Sequence, residues 1–319
     1  MPDPLLCDYP LPHYQRFHPL GFPLEVFTNS EAVLDAARES WGQFAPTHDR
    51  QPVVLRIGIT EGAAGQPLSP PVVRGYRNLV SIILDAENFA VCDLSKGFAY
   101  AWLTSSLVRD TSYVRYFFIE ASAYLLITSA YLTAVHAACV QWEGQGVLLM
   151  GDSGAGKSSM AYACAKSGWT YISDDASYLV RDRDLCEITG NPYQIRLRDS
   201  ASALFPEFAG SDVTTRLNGK LTIEVPTSSL ANVKISPCTK VQTAIFLKRN
   251  GVQIPELVPL PKAEAFKRWS EAVCYGDEEF RAAHRQALLR LLDIDIYELR
   301  YAEVSTAVSY LEEFLSRKQ

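Results

Sequence analysis

The sequence lacks several features that would quickly assign it to a class of protein. Its seven cysteines include no C-x-x-C pair, and it has no H-E-x-x-H, G-x-S-x-G or N-K-x-D motif. It also has no fixed-period repeat and no low-complexity tract. These absences argue against a metal-cluster or disulfide-rich domain, a zinc protease, an elbow-type hydrolase, a GTPase and a repeat protein. We expect reduced, mostly buried thiols in a cytoplasmic protein.

The chain also lacks an excess of positive charge and a clear membrane segment. Thirty basic and thirty-six acidic residues give a formal net charge of −6, which argues against a nucleic-acid partner. The opening "MPDPLLCDYPLPHYQRF" has no basic region followed by an apolar core, so we expect no signal peptide. The apolar stretch 116–135 carries Glu120 and many hydroxyls, which predicts a helix buried between layers and no membrane partner.

The 319 residues, 48% of them hydrophobic, are enough for two domains of an ordinary globular protein. Residues 1–111 show strand-like runs at 53–59, 79–84 and 98–103 and a helical pattern from Ser30. We predict a smaller α+β domain there, of unknown role. For residues 112–319 we predict an α/β domain with a P-loop, in which a mixed sheet is flanked by helices.

The stretch "GDSGAGKSS" at 151–159 matches the pattern G-x-x-x-x-G-K-[ST]. The apolar run 146–150 precedes it, a helical pattern follows it, and a second apolar run occupies 169–173. Strand, glycine loop, helix and strand form the βαβ unit that this motif requires. The predicted phosphate-binding residues are Gly151, Asp152, Ser153, Gly154, Ala155, Gly156, Lys157, Ser158 and Ser159. Lys157 would reach the β- and γ-phosphates, and the Ser158 hydroxyl would bind Mg²⁺.

Asp174 and Asp175 follow the second strand, at the edge where open α/β sheets bind ligands. One carboxylate would hold the metal, and its neighbour would accept a proton from the attacking group. Adjacent residues of an extended chain point to different sides, which suits separate roles. The alternative is a structural turn or helix cap.

His136 precedes a predicted β-hairpin, "HAACVQWEGQGVLLM". A turn centred on Gly144 and Gln145 would place His136 opposite Ser153, beside the phosphate loop. A buried structural histidine is the alternative, because a slip of one residue reverses the side chain.

"GNPYQIRLR" turns at Asn191-Pro192 and then alternates, which places Gln194, Arg196 and Arg198 on one face of a strand. Arginines in this position could stabilise a transferring phosphate, or the face could simply be solvated.

The segment "VHAACV…GQGVLLMGDSGAGKSSMAYACAKSGWTYISDD" resembles the catalytic domain of bacterial HPr kinase/phosphorylase. The resemblance implies that Lys157 and Ser158 bind ATP and Mg²⁺ and that Asp175 is the general base toward a serine hydroxyl. It further implies that Asp174 supports the metal and that His136 lies near the γ-phosphate. "CEITG" resembles the family's E-I-R-G stretch, which implies that Glu187 is a magnesium ligand.

The chain departs from this family in two places. It has no P-G-R-N segment, which the family uses to remove phosphate, and its N-terminal half does not resemble the usual regulatory domain. The resemblance therefore implies a stand-alone, divergent ATP-dependent kinase of the serine-kinase type, with phosphorylase activity doubtful, and it suggests a homo-oligomer. The acceptor hydroxyl would belong to a protein, a peptide or a small molecule. A nucleotide-binding regulator with little transfer activity is the alternative.

Overall fold

The computed structural model describes residues 9–62, 69–152, 154–181, 186–215, 221–270 and 278–318. These residues divide into two units, with the main boundary between Leu132 and Thr133, and the short segment 278–281 is grouped with the first unit. The predicted boundary at 111/112 lies about 20 residues earlier than this division. The difference arises because the helical segment 111–130 packs on the sheet of the first unit.

The first unit contains a seven-stranded mixed sheet within the described residues, in the order β1-β2-β3-β7-β6-β5-β4. Its strands are β1 (His13–Phe17), β2 (Leu24–Thr28), β3 (Val53–Thr60), β4 (Val72–Tyr76), β5 (Leu79–Ile83), β6 (Phe89–Asp93) and β7 (Phe98–Thr104). Its helices are α1 (Glu31–Trp41), α2 (Ser105–Val108), α3 (Thr111–Val114) and α4 (Ala121–Ala130), with a π-helical segment (Arg115–Glu120) joining the last two. The three strand-like runs and the helix expected in this half all form.

The apolar stretch 116–135 is helical only as far as Ala130, after which residues 132–135 form a strand. Most of the helical part is buried, as the sequence predicts. Among the described residues, no helix is long and apolar enough to span a bilayer.

The second unit is built around a larger mixed sheet. The strands described after the first unit's sheet, in both sheets of this part of the chain, are β8 (Leu132–Val135), β9 (Ala138–Trp142), β10 (Gln145–Met150), β11 (Thr170–Ser173), β12 (Ser177–Val180), β13 (Glu187–Thr189), β14 (Gln194–Arg198), β15 (Val213–Thr215), β16 (Leu221–Pro226), β17 (Lys234–Ile235), β18 (Cys238–Arg249), β19 (Glu256–Pro259) and β20 (Asp295–Tyr301). Its helices are α5 (Lys157–Lys166), α6 (Lys262–Ser270), α7 (Glu278–Arg290) and α8 (Val304–Ser316).

The central strands follow the order β17-β11-β9-β10-β18, and β20 pairs with the far side of β18. Strand β10 is parallel to β18, whereas β9 is antiparallel to both β10 and β11. Alternate residues of β10 enter two different cores, because Val147 and Leu149 face α5 and α8 whereas Leu148 and Met150 face α6 and α7. Helices therefore cover both faces, which explains why the strand is a continuous apolar run. The predicted mixed sheet with flanking helices is confirmed.

A small antiparallel sheet, β14-β16-β15, lies beside the main one. Ile195 and Leu197 of β14 join the core that contains α5, while the alternate residues face away from it. The alternation predicted for this strand is confirmed.

The hairpin of β9 and β10 has a different register from the one predicted. Gln145 pairs with Trp142, so the two-residue turn is Glu143-Gly144. Both turn residues have positive φ, 46° and 86°, as a type I′ turn requires. His136 is therefore not aligned with Ser153, which lies outside the described residues. The register differs by two residues, so every side chain stays on its predicted face.

The described cysteines are free thiols. Cys92, Cys139 and Cys164 are buried, and Cys186 and Cys238 are half-buried. Burial raises the pKa of the Cys139 and Cys164 thiols well above their usual range. These two residues behave as small apolar core side chains, as expected.

Gly146 provides a test of the packing between β10 and β18. A Cβ added there would lie 2.4 Å from the backbone carbonyl oxygen of Lys240, which cannot move without shifting β18. Gly146→Ala should lower the free energy of unfolding by about 1–3 kcal/mol, the usual range for overpacking. Gly75→Ala is the matched control, because an added Cβ there meets no atom within 4 Å. Equal urea midpoints for Gly146→Ala and the wild type would show that β18 adapts freely.

Candidate active site

Three chain segments meet at one edge of the main sheet because β9 runs antiparallel between β10 and β11. The residues that precede β9 therefore lie at the same edge as the residues that follow β10 and β11. They are His136, the P-loop and the pair Asp174-Asp175. Since neighbouring strands are about 4.8 Å apart, β10 and β11 end about 10 Å from each other. His136 precedes the strand that fills this gap.

The P-loop connects β10 to α5, and its glycines adopt conformations that disfavour other residues. Gly151 has φ +144°, and a Cβ there would lie 2.8 Å from the Cβ of Ala155. Gly156 has φ +92° and immediately precedes the first residue of α5, Lys157. The loop therefore ends at a helix N-terminus, where backbone N–H groups and the helix dipole favour an anion. Ser153, predicted to belong to this loop, lies outside the described residues.

The ammonium group of Lys157 is folded over the loop, and the residue is largely buried. Its Nζ lies 2.7 Å from the Gly151 carbonyl oxygen, 3.3 Å from that of Asp152 and 3.1 Å from His136 Nε2. A lysine ammonium only donates hydrogen bonds, so Nε2 is the acceptor in this contact. The ring proton of a neutral His136 is then on Nδ1.

His136 Nδ1 faces Asp175, with 3.7 Å between Nδ1 and Oδ1. The side chains of His136 and Asp175 are 53% and 58% exposed, so this histidine is not the buried structural residue of the alternative interpretation. Lys157, His136 and Asp175 thus lie next to one another along the sheet edge, with a hydrogen bond between Lys157 and His136 and a distance of 3.7 Å between His136 and Asp175. The three residues predicted to be catalytic are neighbours in the structure.

Asp174 occupies a different environment from Asp175. It is only 6% exposed, and its Oδ2 accepts the backbone N–H of Arg196 at 2.5 Å. Burial is the main cause that raises its pKa to about 6, and the hydrogen bond and charge of Arg196 oppose this effect. The two acids lie in a bend rather than in an extended segment, and they differ in burial. Asp174 connects the end of β11 to β14.

Glu187 lies on a different strand from the residues of this group. It begins β13 and pairs with Lys240 of β18. Glu187 precedes Gly190 by three residues, which is about 10 Å along a strand. Gly190 packs against Ser173, the last residue of β11. Its role as a magnesium ligand stays a prediction.

The oxygen donors near the loop fit a hard cation such as Mg²⁺. Ser158 and Ser159 lie in the first turn of α5, and the acid pair lies at the same sheet edge. In the described part of the chain, no group of three or more His, Cys, Asp or Glu residues could hold a metal. This donor set suits Mg²⁺, which protein sites typically hold through one or two side chains together with substrate phosphates and water.

Tyr301 contacts the loop from a distant part of the chain. Its hydroxyl donates to the Ala155 carbonyl oxygen at 3.2 Å, and it would lie 3.3 Å from a Cβ added to Gly156. The residue is the last of β20 and fully buried in the core that contains α5. No local pattern could reveal this contact, because 145 residues separate the two partners.

Curated proteins similar to this chain are HPr kinase/phosphorylases. That of Peptoclostridium acidaminophilum is 38% identical over 78 residues, 24% of this chain and 25% of its own length. That of Enterococcus faecalis is 40% identical over 76 residues, 24% of each chain, and that of Streptococcus thermophilus is 37% identical over 94 residues, 30% of this chain and 27% of its own. No family model matches the chain.

The solved structure of the Hpr(Ser) kinase/phosphatase from Coxiella burnetii aligns with a TM-score of 0.30 and 11% identity, covering 58% of this chain and 95% of that one. The fold and loop define a mixed α/β protein with a P-loop. The chain carries a segment that is related in sequence to HPr kinase/phosphorylase, which confirms the resemblance. The chain spans about a quarter of the length of the curated relatives that it matches.

The raised pKa of Asp174 predicts how stability depends on pH. A carboxyl whose pKa is higher in the folded state than in the unfolded state disfavours folding once it ionises. The wild type should therefore lose stability relative to Asp174→Asn as the pH rises from about 4 to about 6, by about 2–3 kcal/mol. Urea unfolding of both proteins across this range measures the difference. A difference that does not change with pH would contradict the burial of a titrating Asp174.

Proposed function

We propose that this protein is an ATP- and Mg²⁺-dependent phosphotransferase that moves the γ-phosphate to a hydroxyl group, most naturally a serine of a protein or peptide. The observation that carries the proposal is the chain of contacts from Lys157 through His136 to Asp175. It links a residue suited to hold phosphate with a carboxylate suited to accept a proton. The curated relatives are HPr kinase/phosphorylases, and this supports a kinase-type activity, which for this chain is part of the proposal.

Phosphate binding begins with the P-loop. The Lys157 ammonium group donates hydrogen bonds to two loop carbonyls and to His136. Phosphate oxygens carry charge and accept stronger hydrogen bonds than neutral groups, so Lys157 would exchange its contacts with the loop and with His136 for them. Ser158 would hold Mg²⁺, and Asp174 would support it from its buried position. ATP supplies the phosphoryl group, and Mg²⁺ offsets the charge that develops during transfer.

Asp175 is the residue that would accept the proton of the acceptor hydroxyl as its oxygen bonds to phosphorus. A hydroxyl does not ionise near neutral pH, so a positioned base is needed at this step. His136 would orient Asp175 from its place beside the carboxylate, with 3.7 Å between Nδ1 and Oδ1. The exposure of His136 and Asp175 suits a bulky acceptor that approaches from solvent, which favours a protein or peptide over a small molecule.

Replacing Lys157 tests phosphate binding. Lys157→Ala should remove measurable MgATP binding, because it removes the charge directed at the β- and γ-phosphates. Isothermal titration of both proteins with MgATP measures the effect, and circular dichroism checks that the variant stays folded. Lys166→Ala is a control at the other end of α5, where the lysine pairs with Glu207. Unchanged MgATP affinity in Lys157→Ala would contradict the phosphate-binding role of the loop.

Replacing Asp175 separates a kinase from a nucleotide-binding regulator. Asp175→Asn keeps the shape of the side chain and should preserve MgATP affinity, while transfer falls by about 10²- to 10⁴-fold because the base is lost. The assay is mass spectrometry of proteins, peptides and metabolites from the protein's own cells after incubation with ATP, with Lys157→Ala as the inactive control.

Two results would change the assignment. If Asp175→Asn loses only MgATP affinity and transfers normally at saturation, Asp175 is a metal ligand and not the base. If the wild type binds MgATP but phosphorylates nothing, the protein is a nucleotide-binding regulator.

A further inference from the structure

We infer that Arg198 is a phosphate-binding arginine, supplied by the chain itself, that strengthens binding as charge develops on the transferring phosphoryl group. This inference rests on the proposed function and adds to it a residue outside the P-loop. It starts from the position of strand β14, which carries Arg198 at its last residue.

Strand β14 is fastened to the end of β11. The backbone N–H of Arg196 donates to Asp174 Oδ2 at 2.5 Å, and the Tyr171 hydroxyl donates to the Gln194 carbonyl oxygen at 3.2 Å. Both acceptor–donor pairs involve groups that are buried or partly buried. The backbone that leads to Arg198 is therefore held at the same sheet edge as the acid pair.

The segment after Arg198 is fastened to the helix that begins the phosphate site. Phe205 and Phe208 pack on Tyr162 of α5, with ring centroids 4.8 and 4.9 Å apart. Glu207 accepts hydrogen bonds from the Tyr162 hydroxyl at 2.9 Å and from Lys166 at 2.6 Å. Arg198 thus lies between two anchors, one on β11 and one on α5, and its backbone is fixed relative to the P-loop.

The side chain of Arg198 reaches the loop. Alternation buries Ile195 and Leu197 on one face of β14 and directs Arg196 and Arg198 to the other. Arg196 lies beside Glu224, with 3.3 Å between Nε and Oε1. Arg198, two residues further along, has its Nη1 3.8 Å from the position that a Cβ on Gly154 would occupy.

The Arg198 side chain approaches the P-loop at Gly154. Its φ of +94° disfavours other residues, and in the described part of the chain Arg198 lies next to the space that a side chain would fill. A guanidinium at the open side of a phosphate loop offers a planar pair of N–H donors for phosphate oxygens. Arginines supplied within one chain are known to stabilise charge during phosphoryl transfer in P-loop enzymes.

Nucleotide binding tests this inference without depending on the acceptor. The dissociation constants of MgADP alone and of MgADP with aluminium fluoride, which imitates the transferring phosphoryl group, are measured by titration calorimetry. The wild type should bind MgADP and gain affinity when aluminium fluoride is added. Arg198→Ala should bind MgADP nearly as the wild type does, but lose about 10- to 100-fold of the affinity gained with aluminium fluoride, as expected for hydrogen bonds to a charged group.

Two further variants make the comparison specific. Arg198→Lys keeps the charge without the planar pair of donors, so it should recover only part of the gain. It also serves as the test variant if Arg198→Ala is unstable. Arg317→Ala, at the exposed residue that follows α8, removes the same charge away from the loop and should behave as the wild type does.

An unchanged aluminium fluoride response in Arg198→Ala, or an equal loss of affinity for MgADP alone, would overturn the inference and leave the proposed function standing. A wild type that fails to bind MgADP would overturn the proposed function, and with it this inference. The two failures are distinguishable, because only the second appears in the wild-type protein.

Discussion

The reversed direction of one strand determines the arrangement of the candidate site. A parallel βαβ unit alone would bring the P-loop and the acid pair to one edge, with an unfilled gap between β10 and β11. Strand β9 fills this gap in the antiparallel direction, so the residue before its start, His136, joins the edge where the other two strands end. The contact of His136 with Lys157 on one side and Asp175 on the other follows from this topology.

Desolvation gives the two neighbouring acids different properties. Asp174 is buried and hydrogen-bonded to the backbone of β14, and burial raises its pKa to about 6. Asp175 faces solvent and His136. An exposed carboxylate can reach an incoming hydroxyl, whereas a buried one can hold strands together and support a cation. The same hydrogen bond also fixes β14, which positions Arg198 beside the loop.

The sequence predicted the features that depend on local patterns. Apolar runs, glycines and the helical period were enough to identify β10, the P-loop, α5 and β11, because each is encoded within a few residues. The hairpin register was wrong by two residues because Glu143, rather than Gln145, takes a positive φ beside Gly144. The contact of Tyr301 with Ala155 and the position of Arg198 near Gly154 could not be predicted, since they depend on how distant strands pack. Arg198 was only a candidate on a strand face.

The most direct test of the Lys157–His136–Asp175 chain is nitrogen-15 NMR of the His136 ring at about pH 8, where an ordinary histidine is neutral. We expect a proton on Nδ1 and none on Nε2 in the free protein. We also expect MgADP to change the Nε2 resonance in the wild type but not in Lys157→Ala, because the phosphates draw Lys157 away from the ring. A proton on Nε2, or a wild-type spectrum that MgADP leaves unchanged, would contradict the account.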